Sequence, residues 1–272
     1  MMNCYKVTNT IVDWLRSHNS RGYVIGISGG IDSAVVSTLC AMTRLPTVCI
    51  TMPINKTPDQ LNRAYEHMSF LKNNYNNVTE CSIVNLTETF DTLKKAFPSR
   101  VMSDLALANA QSRLRMVALY IYANSLGYLV VGTGNKVEDY GVGFFTKYGD
   151  GGIDLSPIGD LIKTEVYELA KYLEIVASIQ AAKPTDGLWD DSRSDEDAIG
   201  ASYPELEWAM GLCETLYIET MKDYEDLYKK GYMPIFTGRQ KDVLEIYLKR
   251  HENSQHKMNM PPICHLSGCS RD

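Results

Sequence analysis

The sequence predicts an α/β protein with a doubly wound, mainly parallel sheet flanked by helices. Four short apolar runs rich in β-branched residues each follow a helix-like stretch, and this alternation is typical of a parallel sheet buried between helical layers. These runs are residues 23–27, 46–50, 78–84 and 128–131. After residue 163 the pattern is mainly helical, so we expect a helical C-terminal extension.

The length and composition fit one large domain over residues 1–272. Domains usually hold about 100–200 residues, so a chain of 272 residues is one large domain or a domain with an appendage. We expect a sheet-bearing core at about 5–175, a lid in the acidic, small-residue segment at about 183–200, and a helical part with a tail at about 201–272. The content of 44% hydrophobic and 22% charged residues excludes a disordered or collagen-like chain.

The charge balance is acidic, with 27 Lys and Arg against 33 Asp and Glu for a formal charge of −6. A bulk nucleic-acid binder is not expected, because the overall field repels a polyanion. Bound phosphates must therefore be met by a local group of donors and cations.

Targeting signals and cysteines both favour a cytoplasmic protein. No stretch approaches the ~20 apolar residues of a membrane helix, and residues 1–6 lack the long apolar core of a signal peptide. The seven cysteines are odd in number and scattered, so we expect no disulfides. Cys264 and Cys269 flank His265, but no second close pair completes a four-ligand zinc site.

Periodicity and composition define four further segments. Residues 6–19 carry an apolar stripe, which predicts an amphipathic helix packed on the sheet. The stripe consists of Val7, Ile11, Trp14 and Leu15. Residues 102–126 predict a long apolar helix, and residues 237–253 predict a final helix that ends before a proline-bearing tail. Glycines are too dense over 132–159 for a helix or central strand, which predicts a structured functional loop.

The clearest chemistry lies in the segment Gly26-Ile-Ser-Gly-Gly-Ile-Asp-Ser33, between the first strand and the next helix. Its paired glycines let the backbone approach an anion, and the helix start presents unpaired N–H groups. Ser28 and Ser33 add hydroxyl donors. The segment therefore predicts a phosphate-binding loop.

Asp32 within this loop is a candidate metal ligand. A carboxylate beside phosphates is unfavourable unless a cation such as Mg²⁺ lies between them. The alternative is a structural Gly-Gly turn in which Ser28 or Asp32 caps the helix. Kinase and dehydrogenase interpretations fail, because the loop lacks the P-loop lysine and G-x-G-x-x-G is absent from the chain.

The S-G-G-x-D-S pattern at Ser28–Ser33 resembles the PP-loop ATP pyrophosphatases, which cleave ATP between the α and β phosphates. Further matches, from about residue 5 to 262, resemble the NAD synthetase family within them. These matches are VGTGNKVE at 131–138, GFFTKYGDGG at 143–152, PIGDLIKTEV at 157–166, KPTDGLW at 183–189, SDED at 194–197 and HK at 256–257. The resemblance implies an adenine nucleotide alpha hydrolase-like, Rossmann-like fold.

The resemblance implies a C–N bond-forming ligase that uses ATP and Mg²⁺. ATP would adenylate the nicotinate carboxylate of deamido-NAD, and ammonia would then attack to give NAD, AMP and pyrophosphate. A homodimer is also implied, with residues 102–126 as our candidate interface.

The resemblance also implies roles for individual residues. The ATP contacts would be Gly26, Ile27, Ser28, Gly29, Gly30, Ile31, Asp32, Ser33, Thr133, Lys163 and Thr185. Among these, Asp32, Lys163 and Thr133 would be catalytic, and Asp32 with Glu138 would hold Mg²⁺. The deamido-NAD contacts would be Arg113, Lys147, Asp154, His256 and Lys257.

Several alternatives stay open for single residues. Asp139 competes with Glu138 for the metal, because the two are adjacent. Lys147 and Lys163 are also consistent with solvated surface lysines. Trp189 is as consistent with a core residue as with a lid anchor, and His256 with an ordinary tail residue.

The nitrogen source and the reaction class are open in the same way. Only about 27 residues precede the phosphate loop, so we expect free ammonia as the nitrogen source. Thr133-Gly-Asn-Lys136 is similar to the glutamine-dependent form of the family. A separate glutaminase partner that supplies the ammonia is therefore the alternative. The phosphate loop by itself is also consistent with a tRNA-thiolating or GMP-synthetase-like enzyme, and with a non-catalytic nucleotide-binding subunit.

Overall fold

The structure is a computed structural model that describes residues 2–55, 58–185, 194–232 and 234–265. Its sheet consists of β1 (Tyr23–Gly26), β2 (Thr47–Thr51), β3 (Val78–Ile83) and β4 (Leu129–Val131). Every strand pair is parallel, and the strand order is β3-β2-β1-β4. The four predicted strands and their parallel arrangement are therefore confirmed.

Helices cover both faces of this sheet. One face is covered by α1 (Cys4–Ser17), α2 (Ile31–Met42), α3 (Pro58–Asn74), α6 (Lys163–Tyr172) and α7 (Ala177–Gln180). The other is covered by α4 (Thr87–Lys95) and α5 (Asp104–Leu126). Side chains of a strand alternate between faces, so Tyr23 and Ile25 join the first core and Val24 joins the second. The predicted doubly wound architecture is confirmed.

The strand order places a functional crevice at the carboxyl ends of β1 and β4. β1 is paired with β2 on one side and with β4 on the other, so the direction of winding reverses between β1 and β4. Loops that leave adjacent strands at such a reversal separate and leave a crevice for a ligand. The loops there are residues 27–30 and the glycine-rich stretch that begins at Gly132.

A third apolar cluster forms the predicted helical C-terminal extension. Its helices are α8 (Asp195–Ile199), α9 (Tyr203–Leu216), α10 (Met221–Lys229) and α11 (Arg239–Met258). Val137 and Val142 join this cluster from a wide, π-type helical turn at Val137–Val142. That turn corrects the expectation that the glycine-rich stretch contains no helix. It also connects the crevice to the C-terminal helices.

Two predicted helices differ from the observed ones in extent or orientation. α11 continues to Met258 rather than ending near residue 253, because every residue up to Met258 tolerates a helix and the prolines come only at 261 and 262. In α1 the buried positions are Thr8, Ile11, Val12 and Leu15, whereas Trp14 is 39% exposed and lies against His18. The indole and imidazole thus pair at the surface.

Three further expectations concern membranes, thiols and the lid. In the described ranges, no helix has the length and apolarity needed to span a bilayer. The six described cysteines are free thiols, and Cys269 lies outside the described residues. The expected lid at about 183–200 is described only at its two ends, with Trp189 outside the described residues.

Candidate active site

The phosphate loop between β1 and α2 has an unusual backbone that its sequence explains. Gly29 has a φ of +85°, and a Cβ there would lie 2.4 Å from the Gln60 carbonyl oxygen. Only glycine meets both conditions without strain. The Ser33 hydroxyl donates to the Gly30 carbonyl at 3.0 Å, and the Ser28 N–H donates to the Ser33 hydroxyl at 3.2 Å. The serines therefore fix the loop from within.

The start of α2 tests whether Ser28 or Asp32 caps this helix. The N-cap is Gly30, and no side chain makes a capping hydrogen bond. Neither Ser28 nor Asp32 caps the helix, so the capping role that the structural alternative gave them is wrong. The first turn of α2 consequently has no side-chain cap at the place where helix N-termini bind anions.

Asp32, Glu138 and Lys163 form an ion triad at the carboxyl end of the sheet. Lys163 Nζ lies 2.7 Å from Asp32 Oδ2 and 2.9 Å from Glu138 Oε1. The lysine side chain is 2% exposed, so it is not a solvated surface lysine. Lys163 is the first residue of α6, where the helix dipole disfavours a cation. The two carboxylates supply the charge that holds it there.

Burial and mutual attraction shift the pKa values of the triad. Burial alone would lower the pKa of the Lys163 ammonium, but Asp32 and Glu138 raise it well above its ordinary value. Burial and repulsion by Glu138 raise the pKa of Asp32, although Lys163 opposes this. Burial opposes ionisation of Glu138 too, yet Lys163 and Tyr203 bring the pKa of Glu138 below its ordinary value. We describe the triad as one ammonium shared by two carboxylates.

Two residues missed by sequence reasoning orient the triad. The fully buried Asn135 donates from Nδ2 to Asp32 Oδ1 at 3.2 Å and accepts from the Glu138 N–H at 3.1 Å. The Tyr203 hydroxyl donates to Glu138 Oε1, and the Lys163 ammonium lies 4.8 Å from the centre of the Tyr203 ring. Asn135 lies inside the VGTGNKVE block, so the sequence contained a signal for it. Tyr203 lies 65 residues after Glu138, and no spacing pattern indicated it.

A cavity of about 250 Å³ opens above the triad. Its lining includes every residue expected to contact ATP, from Gly26 to Ser33 together with Thr133, Lys163 and Thr185. Glu138, Arg63, Arg115 and Ser112 line it as well. The structure thus brings together, around one cavity, residues from β1, β4, α3, α5 and α6.

Glu138 and Asp139 occupy different positions in this cavity. Both line it, but Glu138 shares the Lys163 ammonium with Asp32. Asp139 lies under Gly134, where a Cβ would be only 1.8 Å from its Oδ2. Burial raises the pKa of Asp139 well above its ordinary value, and nearby carboxylates raise it further. Glu138 is the residue placed beside Asp32.

Four of the five residues expected at deamido-NAD form a second group beside the GFFTKYGDGG loop. Lys147 Nζ donates to the His256 carbonyl, and Arg113 Nε donates to the Lys147 carbonyl at 3.3 Å. Lys257 Nζ donates to the Phe145 carbonyl at 2.9 Å. α11 brings His256 and Lys257 back to this loop, so they are not free tail residues.

Asp154, the fifth, lies apart from that group. Its Oδ1 accepts from the Tyr120 hydroxyl at 3.0 Å and its Oδ2 from the Val130 N–H at 2.8 Å. The lining of the cavity above the triad includes none of the five residues.

Two carboxylates in this cavity are the candidate ligands for a metal ion. In the ranges that the structure describes, no group of three or more His, Cys, Asp and Glu side chains converges as a metal site. Asp32 and Glu138 provide two carboxylates that meet at one ammonium. Such a pair suits an ion that also takes ligands from phosphate and water.

Comparison with known proteins identifies the family. Residues 4–261 match the family described as NAD synthase. The NH(3)-dependent NAD(+) synthetase of Saccharolobus solfataricus is 35% identical, over 98% of this chain and 91% of that protein.

Solved structures agree in fold and extent. The NMN synthetase from Francisella tularensis has a TM-score of 0.78 and 28% identity, over 98% of this chain and 100% of that one. The NH3-dependent NAD synthetase from Campylobacter jejuni, in complex with the nitrate ion, has a TM-score of 0.74 and 27% identity, over 97% and 100%. With its phosphate loop, ion triad and near full-length relatives, this chain belongs to the NAD synthase family.

Proposed function

We propose that this protein is an ammonia-dependent NAD synthetase, a ligase that uses ATP to amidate deamido-NAD. The observation that carries the proposal is the ion triad of Asp32, Glu138 and Lys163 at the mouth of the phosphate loop. A buried lysine held by two carboxylates beside an uncapped helix start suits a triphosphate better than a neutral ligand. The curated relatives of similar length named NH(3)-dependent NAD(+) synthetase support the assignment.

The reaction needs an activated carboxylate because hydroxide is a poor leaving group. The nicotinate carboxylate would attack the α phosphorus of ATP, so that an acyl–adenylate bond forms and the bond to pyrophosphate breaks. Ammonia would then attack the acyl carbon, AMP would leave, and a proton from nitrogen would pass to solvent. No covalent bond to the protein is required, so the protein acts by positioning and charge.

Within this scheme we assign roles to the cavity residues. The backbone of Gly26–Ser33 would hold the triphosphate, and Lys163 would neutralise charge on it as pyrophosphate departs. Thr133 and Thr185, which also line the cavity, would contact ATP. Asn135 and Tyr203 would keep the carboxylates in place through the hydrogen bonds described above.

We propose that Asp32 and Glu138 hold Mg²⁺ when ATP is present. Proteins usually bind this ion through one or two carboxylates, and substrate phosphates and water complete its octahedron. Two carboxylates and no larger group of acidic, His or Cys ligands among the described residues fit that pattern. The ion would supply Lewis-acid polarisation of the phosphoryl oxygens.

The second group of residues is our proposed deamido-NAD site. Arg113, Lys147 and Lys257 bring three positive charges together near His256, and the substrate carries a pyrophosphate and a carboxylate. Asp154 would contribute an acceptor for a ribose or amide group. Family membership favours this role.

One comparison favours a second substrate whose carboxylate would be amidated. The solved NMN synthetase has a TM-score of 0.78 to this chain. Nicotinate mononucleotide carries the same reacting carboxylate as deamido-NAD and lacks only the adenylate half. The same residues would then perform the same two steps on a shorter substrate.

We further propose that the protein is a cytoplasmic homodimer. In each subunit, residues 1–272 would form one domain. α5 exposes the apolar side chains of Val117, at 48%, and Ile121, at 61%. Val117 and Ile121 are one turn apart and share a side of the helix. Free thiols and the need for ATP favour the cytoplasm. Sedimentation of wild type and Ile121→Glu tests the dimer, since the variant would sediment as a monomer.

The test of function is product analysis by mass spectrometry. The protein is mixed with ATP, Mg²⁺, ammonium and either deamido-NAD or nicotinate mononucleotide. We expect NAD, AMP and pyrophosphate with the first acceptor, and a higher kcat/KM than with the second. ADP as product, or glutamine-driven turnover by the pure protein, would contradict the proposal. A higher kcat/KM with the mononucleotide would reassign the acceptor.

A further inference from the structure

We propose that Arg63 binds the β and γ phosphates of ATP and stabilises the departing pyrophosphate. This inference rests on the proposed function and adds a residue that neither the family motifs nor the predicted site contained. Arg63 lies in the second turn of α3, outside every motif block, and its side chain lines the cavity above the triad.

The geometry fixes Arg63 to the phosphate loop. Arg63 Nε donates to the Gly29 carbonyl oxygen at 3.2 Å. Gly29 packs so closely on α3 that a Cβ would lie 2.4 Å from the Gln60 carbonyl oxygen. The guanidinium therefore keeps its position relative to the loop backbone, and an anion held by the loop meets it without a large rearrangement.

The Gly29 bond uses one of the five N–H donors of the guanidinium. Its acceptor is a neutral carbonyl, so the positive charge of Arg63 is not neutralised there. Among the described residues, Arg63 forms no salt bridge, in contrast to Lys163. The two terminal nitrogens thus retain donors with the fork geometry that suits a phosphate.

The charge of the cavity explains why a second cation is needed. Five acidic side chains line it, together with four basic ones. The carboxylates are Asp32, Glu138, Asp139, Asp150 and Asp195, and the cations are Arg63, Arg115, Lys163 and Lys183. Lys163 is already shared by Asp32 and Glu138, so it alone does not offset a triphosphate.

The position of Arg63 matches the step at which charge develops. When the nicotinate carboxylate bonds to the α phosphorus, the electron pair of the breaking P–O bond goes to the pyrophosphate. Negative charge therefore grows on the oxygens beyond the α phosphate, where a preorganised guanidinium lowers the barrier. An arginine guanidinium is not deprotonated in proteins, so the positive charge is present throughout this step.

The test compares Arg63→Gln and Arg63→Lys with Lys72→Gln. Lys72 lies on the same helix and is exposed, so its substitution changes the charge of α3 without touching the cavity. Titration calorimetry with inorganic pyrophosphate and Mg²⁺ measures binding without turnover, and steady-state kinetics give kcat and each KM. Thermal unfolding shows that each variant is folded.

We expect Arg63→Gln to weaken pyrophosphate binding by about 10- to 100-fold, the range for lost hydrogen bonds to a charged group. The KM for ATP should rise similarly, with the KM for deamido-NAD within about twofold of wild type. Arg63→Lys should lie between, and Lys72→Gln should match wild type. Unchanged pyrophosphate binding in both Arg63 variants, or no binding by wild type, would overturn the inference. If pyrophosphate binding depends on Arg63 but the protein makes no NAD, the proposed function would be contradicted and the inference about Arg63 would stand.

Discussion

Lys163 Nζ lies 2.7 Å from Asp32 Oδ2, and 131 residues of chain separate the two. The contact joins the first turn of α2 to the start of α6, and Glu138 completes it from the glycine-rich stretch. Because the three side chains are nearly buried, each depends on the others for its charge state. Catalysis and stability are therefore coupled at this point.

Lys163→Met should lower turnover by about 10²- to 10³-fold, the usual cost of one transition-state charge contact. It should also destabilise the fold by about 3–5 kcal/mol, because Asp32 and Glu138 would lose their shared cation while buried. Steady-state kinetics and urea unfolding measure the two effects. Lys171→Met, on the exposed side of the same helix, is the control and should change neither. A stable but inactive variant would mean that the triad contributes little to folding.

Tyr203→Phe should separate the role of the hydroxyl from that of the ring. The variant keeps the packing on Lys163 but removes the donor to Glu138. We expect the Mg²⁺ concentration for half-maximal activity to rise several-fold, and stability to fall by about 1–3 kcal/mol from the lost buried hydrogen bond. Tyr247→Phe, a buried tyrosine of the same cluster, is the control. The same Mg²⁺ dependence in all three proteins would argue against an orienting role.

Whether the sequence could predict a site residue depends on how far apart along the chain the contacting residues lie. The phosphate loop follows from local chemistry, since glycines, hydroxyls and a helix start lie within eight residues. The family motifs then indicated Glu138 and Lys163. Tyr203 and Arg63 were not predicted because their roles come from tertiary packing. Tyr203 of α9 contacts Glu138, and Arg63 of α3 contacts Gly29, and both partners are distant in the chain.

The fold was predictable because its strands and helices follow from local sequence patterns. The errors in the predicted helices also have local causes. Strands buried on both faces leave continuous apolar runs, which any parallel sheet requires. The stripe of α1 was misjudged at Trp14 because hydrophobicity alone does not distinguish a buried indole from one paired with His18 at the surface. The end of α11 was misjudged because residues 254–258 are polar yet helix-compatible.

The buried His67 should make stability depend on pH. Burial lowers its pKa from the ordinary 6.5 to about 4, and its Nε2 lies 2.9 Å from the Ser37 hydroxyl. Between these values the unfolded chain binds a proton that the folded protein does not, so stability falls as pH falls through this window. The loss should reach about 3 kcal/mol at most.

Urea unfolding of wild type and His67→Gln at pH 7.5, 6 and 5 measures this effect. Glutamine offers Ser37 a polar partner but does not titrate, so the variant should lose less stability between pH 7.5 and 5. His18→Gln changes an exposed histidine and should follow wild type. Parallel pH profiles for His67→Gln and wild type would show that His67 is not responsible.

Two glycine substitutions should have opposite effects on stability. Gly29→Ala places a methyl group 2.4 Å from a backbone oxygen at a φ of +85°, so the loop must shift. We expect a loss of about 1–3 kcal/mol from the strained backbone, together with a higher KM for ATP. Gly211→Ala, at an exposed position inside α9 with no atom within 4 Å of the new Cβ, should instead stabilise by about 0.5–1 kcal/mol. Urea unfolding and ATP kinetics on both variants check the contrast. Unaltered ATP kinetics in Gly29→Ala would mean that the loop tolerates displacement and does not grip the nucleotide through its backbone.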